Sequence, residues 1–503
     1  MQLSAEYTNI FRIFAPAKPM VRNVKFKTSS AMLIGREKEQ ERLLQATREE
    51  DSMFVALYGR RRVGKTYLVR ETFNNSFTFY HTGLAKSPMK KQLEAWRLSL
   101  REYGLKKATL PRTWLDAFEA LKQIIKDSDE PKKLIFIDEL PWMDTQRSGF
   151  VSALERFWNG WASARKDVVL IVCGSATSWI IKKILKNKGG LHNRVNTKIH
   201  LQPFTLNECE RYASHRKLVM NRRQLMECYM IMGGIPYYWS KLERGLSLAQ
   251  NIDNLFFNPD GELYDEFDAL YASLFKNPDP YITVVQTLGT KRTGLTREEL
   301  IAQAGLEDNG RLSEILKELE ECGFIRRYTN FGFKTKSAVF QLIDSYTLFY
   351  YDFIQQNTSA DTSFWSRQTG SPLYYNWCGR AFERVCLLHV DQIRRALSIF
   401  GTVSRVCSWH LPKNSDSRGA QIDLILDRDD SVINICEMKY TRQPYEMTSE
   451  EETKVQNRKE RFMTETGTDK SIHLILVSAS GVQRNAYSDE FQAVITADAL
   501  FEK

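Results

Sequence analysis

The segment Gly59-Arg60-Arg61-Arg62-Val63-Gly64-Lys65-Thr66 constrains this chain more than any other stretch. It reads Gly-x-x-x-x-Gly-Lys-Thr, the spacing of a phosphate-binding loop. Met53-Phe54-Val55-Ala56-Leu57-Tyr58 before it is an apolar run of strand length, and Tyr67-Leu68-Val69-Arg70 after it continues at helical spacing. Strand, glycine loop and helix start are the context this motif requires. The glycines let backbone N–H groups curl around phosphates, and the helix N-terminus adds a favourable dipole. Nucleotide binding is therefore predicted for Gly59, Arg60, Arg61, Arg62, Val63, Gly64, Lys65, Thr66 and Tyr67. Lys65 would reach the β- and γ-phosphates of ATP, and Thr66 would ligate Mg²⁺.

The next informative stretch is Lys132-Lys133-Leu134-Ile135-Phe136-Ile137-Asp138-Glu139. Its central apolar run predicts a strand buried on both faces of a parallel sheet. The two carboxylates then fall at the strand's C-terminal end, where open α/β sheets bind ligands. Asp138 would hold Mg²⁺ through Thr66 or water, and Glu139 would polarise the attacking water. A second buried strand, Val168–Cys173, runs into Gly174-Ser175-Ala176. Ser175 at its tip is either a contact to the γ-phosphate or the attacking water, or an ordinary strand-to-helix cap. In the loop Gly189–Arg194, Arg194 is a transition-state arginine, in cis or from a neighbouring subunit, or else a surface arginine. Residues 205–258 read as helical, broken at Gly233-Gly234-Ile235-Pro236. This break would set a small lid over the nucleotide, with Pro236 against the base.

Together with Gly35-Arg36-Glu37, these motifs resemble the archaeal-type ATPases of the AAA and signal-transducing (STAND-like) P-loop group. The resemblance covers roughly residues 31–258. It implies a sheet sandwiched by helices, a helical lid with Gly-x-Pro, and Gly35 and Arg36 beside the adenine pocket. It also implies ATP hydrolysis and a homo-oligomer in the ATP-bound form.

Residues 259–345 change character. Two helical patterns, Thr296–Ala302 and Arg311–Leu319, are followed by two strand-like pieces, Phe324–Tyr328 and Ala338–Leu342. Helix–turn–helix then hairpin is the winged-helix order. The Arg311 helix is the DNA-reading candidate, yet it carries Glu314, Glu318, Glu320 and Glu321. A DNA reader and a packing module remain equal readings. Arg326, Arg327, Lys334 and Lys336 of the hairpin are phosphate-contact candidates.

A second chemical pattern lies nearer the C-terminus. A helix over Cys378–Cys386 carries Glu383, and Ala420–Leu426 and Val432–Lys439 read as a hairpin. Glu437 and Lys439 are two apart, so they share a strand face. With Asp423 on the neighbouring strand they suggest a carboxylate site for Mg²⁺ or Mn²⁺, with Lys439 orienting water. The order resembles the PD-(D/E)xK nuclease superfamily: Glu383 matches its helical acid, Asp423 its first strand acid, and Glu437-x-Lys439 its paired motif. That resemblance implies Glu383, Asp423 and Glu437 as metal ligands and DNA as substrate. Ile422 stands where the motif usually has proline. The alternative is a nuclease fold kept as a binding or assembly module.

The 503 residues allow three or four domains. The expected class is α/β multidomain: an arm (1–30), a P-loop ATPase core (31–204), a helical lid (205–258), a winged helix (259–345) and a restriction-endonuclease-like α/β domain (346–503). A net charge of +10 fits a polyanionic partner such as DNA. No apolar run approaches the roughly 18 residues a membrane span needs. The eight cysteines are scattered without metal-type pairs, which suits a reducing cytoplasm.

Overall fold

The structure, a computed structural model, describes residues 33–175, 177–186, 189–191, 193–291, 293–332, 338–411 and 419–503. The N-terminal arm, Ala176, His192, Lys334 and Lys336 fall outside the described residues.

The first module is a five-stranded parallel sheet in the order β2-β3-β4-β1-β5. Its strands are β1 (Met53–Tyr58), β2 (Phe79–Thr82), β3 (Lys133–Asp138), β4 (Val168–Gly174) and β5 (Thr197–His200). Every residue of β4 is buried. The reason is visible on β1: Val55 and Leu57 enter one core, whereas Phe54 and Ala56 enter another on the opposite face. Strands covered on both sides need apolar residues at every position, which accounts for their unbroken hydrophobic runs. Just before β2, the Phe77 ring packs 5.6 Å from Phe136 of β3.

A helical segment follows. Helix Leu206–His215 starts with a reciprocal Thr205/Glu208 cap and helix Arg222–Met232 with an Asn221/Gln224 cap. Such caps stabilise a helix start by about 1 kcal/mol. Gly233 ends the second helix at φ 61°. A side chain on Gly234 would strike the Phe204 carbonyl at 1.8 Å, so the Gly-Gly break lets this turn lie against the sheet. Pro236 then opens the short helix Pro236–Trp239.

Residues 266–342 form helices Glu266–Leu274, Asp279–Gly289, Arg297–Ala304 and Gly310–Glu321 with a three-stranded antiparallel sheet. That sheet runs β6-β8-β7, with β6 (Leu295–Thr296), β7 (Ile325–Thr329) and β8 (Ala338–Leu342). Leu312, Ile315, Leu316 and Leu319 bury one stripe of helix Gly310–Glu321.

After helix Pro372–Leu388 comes a second five-stranded sheet, β15-β13-β11-β10-β9. It contains β9 (Ser404–Leu411), β10 (Ala420–Arg428), β11 (Val432–Lys439), β13 (Ser471–Ser478) and β15 (Ala493–Thr496). β12 (Tyr445–Glu446) and β14 (Val482–Gln483) form a small separate pair. β9, β10 and β11 are antiparallel neighbours, and helix Ser449–Thr466 carries the chain across to β13, parallel to β11. All eight cysteines are free. Among the described residues no helix is long and apolar enough to cross a membrane.

Candidate active site

The phosphate loop lies between the C-terminal end of β1 and helix Lys65–Thr72, whose first residues are Lys65 and Thr66. Gly64 holds φ 90°, a left-handed conformation that glycine reaches without strain. Gly59, at φ 147°, is also held by proximity: a Cβ there would meet the Leu201 carbonyl at 2.3 Å. Lys65 is buried, and its Nζ donates to the Gly59 and Arg60 carbonyls at 2.8 and 2.9 Å. Burial lowers its pKa, against the pull of nearby Asp138 and Glu139.

The acidic residues of β3 meet this loop. Thr66 Oγ1 donates to Asp138 Oδ2 at 2.7 Å. The other Asp138 oxygen accepts from the Glu139 N–H at 2.8 Å and from the Cys173 thiol. Burial raises the Cys173 pKa far above its ordinary value, with Asp138 and Glu139 adding to the effect, so that thiol stays a donor. Glu139 adopts φ 49° immediately after the strand, which turns its side chain toward β4. There Ser175 Oγ donates to Glu139 Oε1 at 2.7 Å and the Ser175 N–H reaches Oε2 at 3.2 Å.

These groups border a cavity of about 760 Å³. Arg62 to Tyr67 form its phosphate end, and Glu139 and Ser175 stand at its rim. The other end is lined by Phe204, Tyr212, His215, Pro236 and Tyr237, an aromatic-rich surface suited to a base. Arg36 closes that end: its guanidinium sits 4.6 Å over the Phe204 ring and donates to the Gln202 carbonyl at 2.8 Å. Gly35, at φ 69°, approaches Glu208 so closely that a Cβ would lie 2.6 Å from its side chain. The donor set fits Mg²⁺ with ATP. Thr66 and Asp138 would hold the ion, which supplies charge neutralisation at the phosphates.

Sequence reasoning missed several of these residues. Phe204, Tyr212 and Tyr237 carry no motif, and only the packing of the helical segment after β5 brings them to this end of the cavity. The loop arginines also differ from expectation. Arg60 does not line the cavity; its side chain turns away and is ion-paired with Asp344. Arg62 lines the cavity but is ion-paired with Glu266, its guanidinium 4.3 Å over the Tyr237 ring. Arg194 is exposed in the loop before β5 and is not part of the cavity wall of its own chain.

The C-terminal carboxylates are arranged differently from the metal trio the sequence suggests. The β10–β11 ladder runs from the Asp427–Ile433 pair to the Leu424–Cys436 pair; Asp423 lies just past it, where β10 has a bulge between Ile422 and Ile425, and Glu437 follows Cys436 on β11. Glu437 and Lys439 share the face of Ile433 and Ile435, which helix Ser449–Thr466 covers through Val455 and Phe462. Helix Pro372–Leu388, carrying Glu383, packs with Cys436 and Met438 on the opposite face. Both Glu437 oxygens are engaged, one by Lys439 at 3.0 Å and one by Arg458 at 2.5 Å. Burial opposes the Glu437 charge, but Arg458 and Lys439 outweigh it and hold the carboxyl below its ordinary pKa. Among the described residues, no three carboxylate, His or Cys side chains converge to hold a metal. In this conformation Glu437 is therefore not open to Mg²⁺ or Mn²⁺, because Lys439 and Arg458 occupy both its oxygens.

The segment between the two sheets is docked on both. Lys182 of the first module bridges Glu314 and Glu318 of helix Gly310–Glu321 at 3.1 and 3.0 Å. The Phe331 N–H donates to the Ser408 carbonyl of β9 at 2.9 Å, and the Phe331 ring lies 5.0 Å from Phe462. Arg326 is turned inward. It stacks 4.6 Å over Tyr328 and donates to Gln341, and burial lowers its pKa. It is not placed to meet a phosphate backbone, unlike the exposed Arg327.

The sheet order, the phosphate loop and the Thr66–Asp138–Glu139–Ser175 constellation define a P-loop ATPase core. Residues 33–242 match the family model described as an ATPase domain predominantly from Archaea, which supports an ATPase function for that part of the chain. An uncharacterized protein of Methanocaldococcus jannaschii is 25% identical over 416 residues, spanning 81% of this chain and 88% of that one. Among solved structures, a Walker-type ATPase of Pyrococcus abyssi aligns at 17% identity and a TM-score of 0.45. It covers 65% of this chain and 98% of its own. The ORC2 protein of Aeropyrum pernix in its ADPNP and ADP complexes aligns at 13% identity and a TM-score of 0.40, covering 68% and 98%.

Proposed function

We propose that ATP binding and hydrolysis in this chain gate DNA cleavage by the C-terminal domain, with residues 259–345 acting as a winged-helix connector. On this reading residues 346–503 are a PD-(D/E)xK nuclease held latent in the conformation described. The observation that carries it is the place of Asp423, one residue past the Leu424–Cys436 pair, beside the strand that holds Glu437 and Lys439. Two acids and a lysine are thereby concentrated at one end of the hairpin. The net charge of +10 and the exposed Arg327 add a favourable field for a polyanion. Release of Arg458 from Glu437 is the rearrangement that activation requires. Arg194, exposed and away from its own cavity, would complete the ATP site of a neighbouring copy in a nucleotide-dependent homo-oligomer.

A second reading has an observation of its own. With both Glu437 oxygens bound by Arg458 and Lys439, the same residues make a structural ion-pair cluster, and the domain would then bind DNA or a partner without cutting. Nicking of supercoiled plasmid by wild-type and Glu437→Ala chains, with Mg²⁺ and with or without ATP, separates the two. Cleavage that the substitution removes supports the nuclease. Intact ATPase activity and DNA binding, with no cleavage by the wild type, support the binding module.

A further inference from the structure

Two arginines of the phosphate loop, Arg60 turned away from the nucleotide cavity and Arg62 on its wall, both end on carboxylates beyond the matched ATPase domain. Arg60, 5% exposed, is ion-paired with Asp344, 6% exposed. Its guanidinium also lies 4.5 Å over the Phe324 ring. Nε and Nη2 of Arg60 are buried and have no hydrogen-bond partner among the described residues, so Asp344 is the group that compensates this charge. Arg62 holds φ 70°, a left-handed backbone in a residue with a side chain. That turn directs it to Glu266, whose side chain is 1% exposed and also accepts from Tyr238 Oη at 2.6 Å.

The Asp344 carboxylate does two jobs. Oδ1 faces Arg60, while Oδ2 accepts from the Thr347 N–H at 2.9 Å and Thr347 Oγ1 at 2.6 Å, capping helix Ser345–Phe349. Thr347 Oγ1 in turn meets Tyr271 Oη at 3.2 Å. The anchor is therefore fixed by a helix start and a buried tyrosine rather than by a mobile loop. At its other end, the Arg60 carbonyl accepts a hydrogen bond from Lys65 Nζ at 2.9 Å. One residue thus joins the lysine that must reach the phosphates to a carboxylate 284 positions further along the chain.

We propose that Asp344 and Glu266 are positioning residues of the ATP site: acting through Arg60 and Arg62, they hold the phosphate loop in its nucleotide-accepting shape. The ATP site is then complete only when the segment after the lid is docked against it. Nucleotide binding and the position of helix Ser345–Phe349, which leads toward the C-terminal domain, become one coupled equilibrium. This inference stands on the ATPase alone and is independent of the nuclease reading.

Asp344→Asn tests it in the full chain. Asparagine keeps the helix cap and nearly the same volume but removes the charge on which Arg60 rests. The expected result is a KM for ATP raised about tenfold, with kcat within about threefold of wild type, the pattern of lost uniform binding. Arg60→Met should have a similar effect, and the double variant should be no worse than the worse single one, because both remove the same interaction. A purely structural role for Asp344 would lower the melting temperature and leave KM unmoved, which would overturn the proposal. Multiplying effects in the double variant would overturn it too. Should Asp344→Asn fail to fold, Glu266→Gln decides. It can still accept from Tyr238, so a raised KM supports the proposal and a wild-type KM overturns it.

Discussion

Ser175 Oγ donates to Glu139 Oε1 at 2.7 Å, which joins the tips of two adjacent strands of the ATPase sheet. A carboxylate held in this way is aimed before nucleotide arrives. Glu139→Gln keeps the shape but cannot act as a base, so ATP binding should persist while turnover falls by roughly 100-fold or more. Equilibrium binding of ATP and single-turnover hydrolysis separate the two effects. Ser175→Ala should retain the base but release its orientation, giving a smaller loss of about tenfold. Equal losses in the two variants would contradict a positioning role for Ser175.

Lys65→Ala removes the ammonium that now rests on the Gly59 and Arg60 carbonyls. Calorimetric titration with Mg²⁺ and ATP should show affinity reduced about 100-fold or more, since a charged contact to phosphate is lost from a buried site. The variant should keep its melting temperature without nucleotide, because burial of an ammonium opposes folding in the first place.

The trans role proposed for Arg194 has a direct check. Neither Lys65→Ala nor Arg194→Ala chains should hydrolyse ATP at more than about a hundredth of the wild-type rate alone. Mixed together, they should regain activity, because one chain supplies the loop and the other the arginine. No recovery on mixing would place Arg194 outside catalysis.

Stability should fall as pH is lowered from neutrality, and His389 is one identifiable reason. Its Nε2 accepts from the Leu206 N–H at 3.0 Å, and its Nδ1 lies 2.8 Å from the Val385 carbonyl. The ring is therefore a neutral clip between helix Pro372–Leu388 and the first lid helix. Burial lowers its pKa to about 4. The unfolded chain binds the proton first, near pH 6.5, so this contribution is complete above that value and is lost as pH falls toward 4. The loss reaches about 2 kcal/mol by pH 5. His81, lowered by burial to about 3, acts in the same direction. The drop in melting temperature between pH 7 and pH 5 should be smaller in His389→Gln than in wild type.

What the sequence disclosed, and what it did not, follows from chain distance. The phosphate loop and the Asp138-Glu139 pair are local patterns, and their strands are marked by unbroken apolar runs because both sheet faces are covered. Ser175 needed only the next strand. The partners of Arg60 and Arg62 were illegible, since Asp344 and Glu266 belong to other modules and no spacing links them to the loop. The same holds at the C-terminus. The hairpin and its Glu437-x-Lys439 pattern were readable, but Arg458 reaches Glu437 from a helix that the motif does not include. Arg326 read as a phosphate contact because a strand's alternation does not reveal that its side chain folds back onto Tyr328 and Gln341 of its own sheet.

The most direct measurement is cleavage of supercoiled plasmid by the full chain with Mg²⁺, with and without ATP, alongside Glu437→Ala and Glu139→Gln. Cleavage should depend on ATP, disappear in Glu437→Ala, and change in Glu139→Gln, with ATP hydrolysis intact in Glu437→Ala. Cleavage that survives in Glu437→Ala, or no cleavage by a wild type that hydrolyses ATP and binds DNA, would contradict the ATP-gated nuclease reading.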